Sequence, residues 1–214
     1  NVLLGCGAGH CLVGGCYNVA LGLWALEGYD IYEANNTGSD NIAIGLAAGR
    51  CVTSGGCNIM IGQYTASSGP TVTGDCNVLI GRMAGYGVTS ASSNIFMGAC
   101  AGRCVTSGCD NIALGRKSLS EGLVTGQHNI TLGLESGLKS TSANYNVFFG
   151  AYAGRNTTTG SKNIAIGANA MFNGTVTGDG NIAIGPVAGK VLTSGAHNIL
   201  LGCWAGVSLE TGQN

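Results

Sequence analysis

Asn41-Ile42-Ala43-Ile44-Gly45 recurs letter for letter as Asn163-Ile164-Ala165-Ile166-Gly167 and as Asn181-Ile182-Ala183-Ile184-Gly185. Relaxed to Asn, Ile or Val, any residue, then Leu, Ile, Met or Phe, and Gly, the phrase opens at Asn1, Asn18, Asn41, Asn58, Asn77, Asn94, Asn111, Asn129, Asn146, Asn163, Asn181 and Asn198. The commonest spacing is 17 residues and the longest, between Asn18 and Asn41, is 23. A period of this length is the signature of stacked coils, each too small to bury its own apolar face. The expectation is therefore an all-β chain: a parallel β-solenoid, β-roll or β-helix, of twelve coils forming a single repeat domain over residues 1–214, with no second domain.

Composition narrows the class. With 39 Gly but only 2 Pro in 214 residues, and no three-residue glycine period, the chain is not collagen-like. Charged residues make up 9%, too few for a disordered segment, and a net charge of -1 gives no electrostatic footprint for nucleic acid. The apolar run from Val19 to Leu26 is too short to cross a bilayer, so no membrane insertion is expected. No signal peptide precedes Asn1, which for an exported protein implies a mature or trimmed form.

Within each phrase the alternation is that of a strand. Ile42 and Ile44 share one face and Ala43 takes the other, and β-branched residues suit a pleated surface. The larger side chains select the interior: the columns from Val2/Leu4 through Ile44 and Ile166 to Ile199/Leu201 are expected to form the core. The middle residues, from Leu3 to Leu200, are also nearly all apolar, so that face is expected to be covered by the opposite wall of the coil or by a neighbouring chain. After the phrase, small Ala-Gly steps such as Ala48-Gly49 and Ala101-Gly102 permit a tight bend leading into a second short strand.

The ends of the phrase have backbone explanations. Gly5, Gly22, Gly45 and their equivalents fall where the chain turns a corner with positive φ or close approach. Asn41, Asn58, Asn77, Asn94, Asn111, Asn129, Asn146, Asn163, Asn181 and Asn198 are expected to stack as a structural amide ladder. A Thr column (Thr37, Thr53, Thr73, Thr89, Thr106 and onward) reads as hydroxyls bonding turn backbone. Its alternative, an ice-binding face, would use the Thr-x-Thr pairs Thr71/Thr73, Thr157/Thr159 and Thr175/Thr177. Every third coil is alike: Arg50-Cys51-Val52-Thr53-Ser54-Gly55 returns as Arg103-Cys104-Val105-Thr106-Ser107-Gly108. Either a three-coil unit was duplicated, or about 52 residues make one turn of a three-sided cross-section.

The Asn-Ile-Ala-Ile-Gly phrase at 41–45, 163–167 and 181–185 resembles the head repeats of trimeric autotransporter adhesins, and more closely the Asn-rich repeats of phage tail-fibre proteins. That resemblance implies a left-handed β-roll packed as a trimer, and a place on a cell or virion surface. The coils here are longer than the adhesin repeat and the chain carries ten cysteines.

The cysteine spacing points to disulfides in an oxidising compartment. Cys11/Cys16, Cys51/Cys57 and Cys104/Cys109 each straddle a glycine-containing turn, while Cys57 and Cys76 both directly precede a phrase Asn and stack in adjacent coils. His10, His128 and His197 occupy scattered offsets, so no metal site and no cofactor are expected. Catalysis has little to stand on, because no paired carboxylates recur and Arg50, Arg103 and Arg155 align without a companion acid. The expectation is a non-enzyme, with a polysaccharide-degrading β-helix a minor alternative.

Coil two alone breaks the rhythm, with an insertion carrying Trp24, Tyr29 and Tyr32 that reads first as a loop folded back over the stack and, as the alternative, as a surface contact loop for sugar or protein, cell-surface glycans among them. The leading expectation is a structural subunit or shaft segment of an extracellular filament whose partner is itself, by axial stacking and by lateral or trimeric packing. Joined end to end, two copies keep the 17-residue register and place Cys203 beneath the next copy's Cys6. A receptor-binding adhesin or tail-fibre module is the alternative.

Overall fold

The computed structural model describes residues 1–28, 36–68, 71–122, 124–212. It is an all-β parallel solenoid in which each coil contributes one three-residue strand. The strands are β1 (Val2–Leu4), β2 (Val19–Leu21), β3 (Ile42–Ile44), β4 (Ile59–Ile61), β5 (Val78–Ile80) and β6 (Ile95–Met97). They continue with β7 (Ile112–Leu114), β8 (Ile130–Leu132), β9 (Val147–Phe149), β10 (Ile164–Ile166), β11 (Ile182–Ile184) and β12 (Ile199–Leu201). All twelve lie in one parallel sheet in sequence order, so each coil of about 17 residues is a full turn and the three-sided, 52-residue turn is excluded. Register is strict, with Ile42 opposite Ile59 and Ile44 opposite Ile61. At about 4.8 Å per strand the sheet runs roughly 53 Å from β1 to β12.

The expected core is turned inside out. In β3 the middle residue Ala43 is fully buried while Ile42 and Ile44 are half-buried on the outer side, and the same pattern holds through most of the sheet. The interior is built from the middle column, including Ala43, Met60, Leu79, Phe96, Ala113 and Phe148. Facing it are the small residues of the bend, such as Ala48, Ala84 and Ala101, and a Val column, among them Val52, Val72, Val105 and Val124. The reason is the strand's own alternation. Asn41 must point inward to reach its ladder, and with a period of two Ala43 then shares its side while Ile42 and Ile44 take the other. A three-residue strand offers the interior a single side chain.

No second strand forms among the described residues. The opposite wall is made of turns hydrogen-bonded from coil to coil, and its β-pairing among the described residues is limited to isolated bridges, Leu12 with Asn36, Val52 with Val72, Val105 with Val124 and Thr157 with Val176. Three of these recur at the offsets of 52 or 53 residues seen in the sequence, so the three-coil likeness is written into the wall. Left-handed backbone explains the missing strand. Residues such as Ala47 (φ 53), Ala66 (φ 44) and Cys57 (φ 57) would cost about 1–3 kcal/mol each in isolation. They are held by inter-coil hydrogen bonds, for example Ala47 N–H to Leu23 O at 2.8 Å and Cys57 N–H to Ser39 O at 3.0 Å.

The two ends of the phrase behave as expected. A Cβ on Gly45 (φ 132) would lie 2.7 Å from the carbonyl oxygen of Gly62, so close stacking of the corner requires glycine. The asparagines form a buried ladder. Asn58 donates its backbone N–H to Asn41 Oδ1 at 3.0 Å, and its side-chain amide donates to Asn41 Oδ1 at 3.1 Å and Gly74 O at 2.9 Å.

The core is not uniform along the axis. One apolar cluster runs from Ala20 to Val124 and a second from Phe148 to Leu192. Between them lies a hydroxyl layer: Ser118 Oγ donates to Thr131 Oγ1 at 2.7 Å, Thr131 Oγ1 to Ile112 O at 3.2 Å, and Ser136 Oγ to Phe148 O at 3.1 Å. Each of these buried hydroxyls therefore has a partner, which is what lets the layer exist at no large cost.

Candidate interaction surfaces

The inversion of the core creates the most distinctive surface of the molecule. Every outward residue of β1 to β12 is Val, Ile, Leu, Met or Phe, with no charged or polar side chain in either column. Neighbouring strands shield one another, yet Ile95 remains 37% exposed, Met97 42% and Phe149 53%. Two columns about 10 Å wide over the length of the sheet make a flat apolar strip of roughly 500 Å². A monomeric soluble protein rarely exposes a larger patch, and one facing water on an antiparallel or open sheet would alternate to polar residues.

Coil two supplies the second surface. Trp24 is exposed, and the Arg50 guanidinium lies 5.5 Å from the centre of its ring while Nε of Arg50 contacts Glu27 Oε2 at 2.7 Å. The arginine column is therefore not free of acids: Arg155 likewise contacts Glu135 at 3.0 Å and lies 5.8 Å from the Phe172 ring. Glu27 and Glu135 come from different positions of the coil, which is why their pairing was not apparent in the aligned repeats. Tyr29 and Tyr32, the other members of the contact loop, lie outside the described residues.

The cysteines form no disulfide among the described residues. Cys11 and Cys51 are buried in the wall of the coil while Cys16 and Cys57 are exposed, so in neither pair do the side chains face alike. Cys104 and Cys109 are both partly exposed, but the Cys109 sulfur accepts the Ser92 N–H at 3.4 Å and donates to Ser107 O at 3.5 Å. Cys6 and Cys203 are exposed in coils one and twelve. Burial pushes the Cys51 thiol up to about 11, Arg50 opposing and Glu27 adding, and its sulfur donates to Ser67 O at 3.2 Å. Desolvation likewise raises Cys104, and at Cys57 it acts together with the neighbouring Cys76 and Asp40.

The Thr column bonds backbone of the next coil, as in Thr89 Oγ1 to Thr106 O and Thr141 Oγ1 to Thr158 O, both at 3.0 Å. Of the proposed ice-facing pairs, Thr157/Thr159 fails because Thr157 is fully buried, while Thr71/Thr73 and Thr175/Thr177 are exposed on separate coils. A further ladder escaped the sequence reading. Two residues before about half of the phrase asparagines, a short polar side chain accepts a backbone N–H from the coil before it: Asp75 from Gly56 at 2.7 Å, Ser92 from Asp75 at 3.0 Å, Asn144 from Gln127 at 2.8 Å and Asp179 from Ser161 at 2.6 Å. The enrichment of Ser, Asp and Asn at that offset was its signal. Among the described residues no three His, Cys, Asp or Glu side chains converge in the way a metal ion requires.

Comparison of the chain with protein-family models, with curated proteins and with solved structures finds no significant match.

Proposed function

We propose that the chain is a structural segment of an extracellular fibre, on a cell or virion surface, in which solenoids associate with copies of themselves through the outer sheet face. The observation that carries this reading is the unbroken apolar strip from β1 to β12. If two copies each covered roughly 500 Å², the interface would reach about 1,000 Å² in total, the lower bound for a specific contact. A strip with a fixed strand pitch and no charge is best matched by a surface of the same pitch, which a second copy provides. Axial continuation is the other half of the proposal. The strand and its register repeat from coil to coil, so further coils, of this chain or of the next copy, would extend the sheet in register.

Analytical ultracentrifugation with negative-stain microscopy tests the reading. The wild type is expected as side-by-side assemblies or fibres, and Ile44→Lys combined with Ile112→Lys as single solenoids with an unchanged circular dichroism spectrum. A wild-type chain that sediments as a monomer at high concentration refutes lateral association.

A second reading, adhesion to cell-surface glycans, has the exposed Trp24 beside Arg50 in its favour, because an indole face with an adjacent cation suits a sugar ring. Binding to a glycan array that is lost in Trp24→Ala would support it.

A further inference from the structure

We propose that Cys57 and Cys76 form a dithiol site that closes to an inter-coil disulfide by exchange with a low-molecular-weight disulfide such as oxidised glutathione. Of the ten cysteines, no other two occupy the same position in adjacent coils. Cys11 and Cys51 share a position but are separated by the coil carrying Gly28, and Cys16 and Cys109 stand five coils apart.

The backbone places the two sulfurs side by side. Each cysteine directly precedes a ladder asparagine, and their φ angles are 57 and 58, so the Cα–Cβ bonds leave the stack in the same direction. Both positions are pinned: Cys57 N–H donates to Ser39 O and Cys76 N–H to Gly56 O, each at 3.0 Å, and Asn77 N–H donates to Asn58 Oδ1 at 2.9 Å. The strands that follow pair in register, Ile59 opposite Val78. Stacked positions about 4.8 Å apart fall inside the window of about 4.4–6.8 Å that a disulfide spans between Cα atoms. Both thiols are exposed, and Cys76 lies near enough to add to the desolvation that raises the Cys57 thiol. The nearby Asp75 carboxylate accepts the Gly56 N–H at 2.7 Å, and among the described residues no three His, Cys, Asp or Glu side chains come together to hold a metal ion.

The exchange balances. One cysteine thiolate attacks a sulfur of oxidised glutathione, forming a mixed disulfide and expelling one glutathione thiolate. The second cysteine attacks the protein sulfur of that mixed disulfide and expels the other. Two cysteine thiols lose two protons and two electrons in all, and one glutathione disulfide becomes two glutathione thiols. The product is a covalent rung between coils three and four. Because a solenoid coil is held only by its neighbours, such a rung blocks their separation at this junction.

The folded chain incubated with oxidised glutathione and digested without reduction tests this. Mass spectrometry is expected to find the peptides of Cys57 and Cys76 joined, with closure at least about tenfold slower when the chain is unfolded in urea. In Cys57→Ser, Cys76 is expected to stop as the glutathione mixed disulfide, and the reverse in Cys76→Ser. Serine is acceptable here, since Ser93 holds the same position in the next coil with φ 59. Glutathione retained on either residue of the wild type, either residue joined to a different cysteine, or no reaction at the pair overturns the proposal.

Discussion

The backbone N–H of Asn58 meets Oδ1 of Asn41 at 3.0 Å, and this bond settles which side of the strand sees water. For Asn41 to accept it, its side chain must lie inside the coil, and Ala43 follows two residues later on the same side. The bulky Ile42 and Ile44 are then placed outside, whatever their hydrophobicity. Hydrogen bonding overrides residue size here because an unpaired buried amide costs about 1–3 kcal/mol and the ladder repeats in nearly every coil.

Substitutions on the two faces of β3 are expected to part company. Ala43→Asp introduces a charge with no partner into a closed interior and abolishes folding, whereas Ile44→Asp leaves the coil intact and lowers self-association. Circular dichroism and sedimentation of the two variants check this; a folded Ala43→Asp chain contradicts the assignment of the inner face.

Removing one rung of the ladder strands its neighbours. Asn94 accepts the Asn111 N–H at 2.9 Å and donates to Gly108 O at 3.0 Å, so Asn94→Ala leaves a donor and an acceptor buried without partners. The expected loss is about 2–4 kcal/mol by urea unfolding.

Thr157 is the converse case. Its hydroxyl is buried and makes no hydrogen bond, at a position filled by Val52 and Val105 in the related coils. Thr157→Val is expected to stabilise the protein by about 1 kcal/mol and to raise Tm, a gain that thermal unfolding would register.

Stability should also decline in alkali. The unfolded chain releases the Cys51 proton near its ordinary value of 9.0 and the folded chain only near about 11, so between these values the unfolded state binds fewer protons. Stability is therefore fully present below pH 9 and falls as pH rises towards 11. Urea midpoints measured across that window should drop more steeply for the wild type than for Cys51→Ala; equal slopes would show that Cys51 contributes nothing.

The architecture was legible in the sequence because periodicity survives any uncertainty about which face is which. Twelve phrases, the corner glycines and the asparagine ladder all followed from spacing and backbone chemistry. Reading Ile44 as core rather than Ala43 weighed side-chain size above the inward demand of Asn41, although both belong to the same five-residue phrase. The turn wall was not legible for a different reason. Its left-handed positions accept Trp24, Tyr64, Lys117 and Val187 alike, so no residue preference marks them, and inter-coil bonds rather than local propensity hold them. Glu27 and Glu135 reach their arginines from different offsets, a pairing that aligned repeats conceal.

The hydroxyl layer of Ser118, Thr131 and Ser136 gives the solenoid a mechanical seam. Apolar layers resist pulling apart through the area that would be wetted, but a layer of hydroxyls exchanges its partners for water with little net loss. A fibre strained along its axis would therefore part first near β8, releasing two blunt segments each closed around an apolar filling of its own.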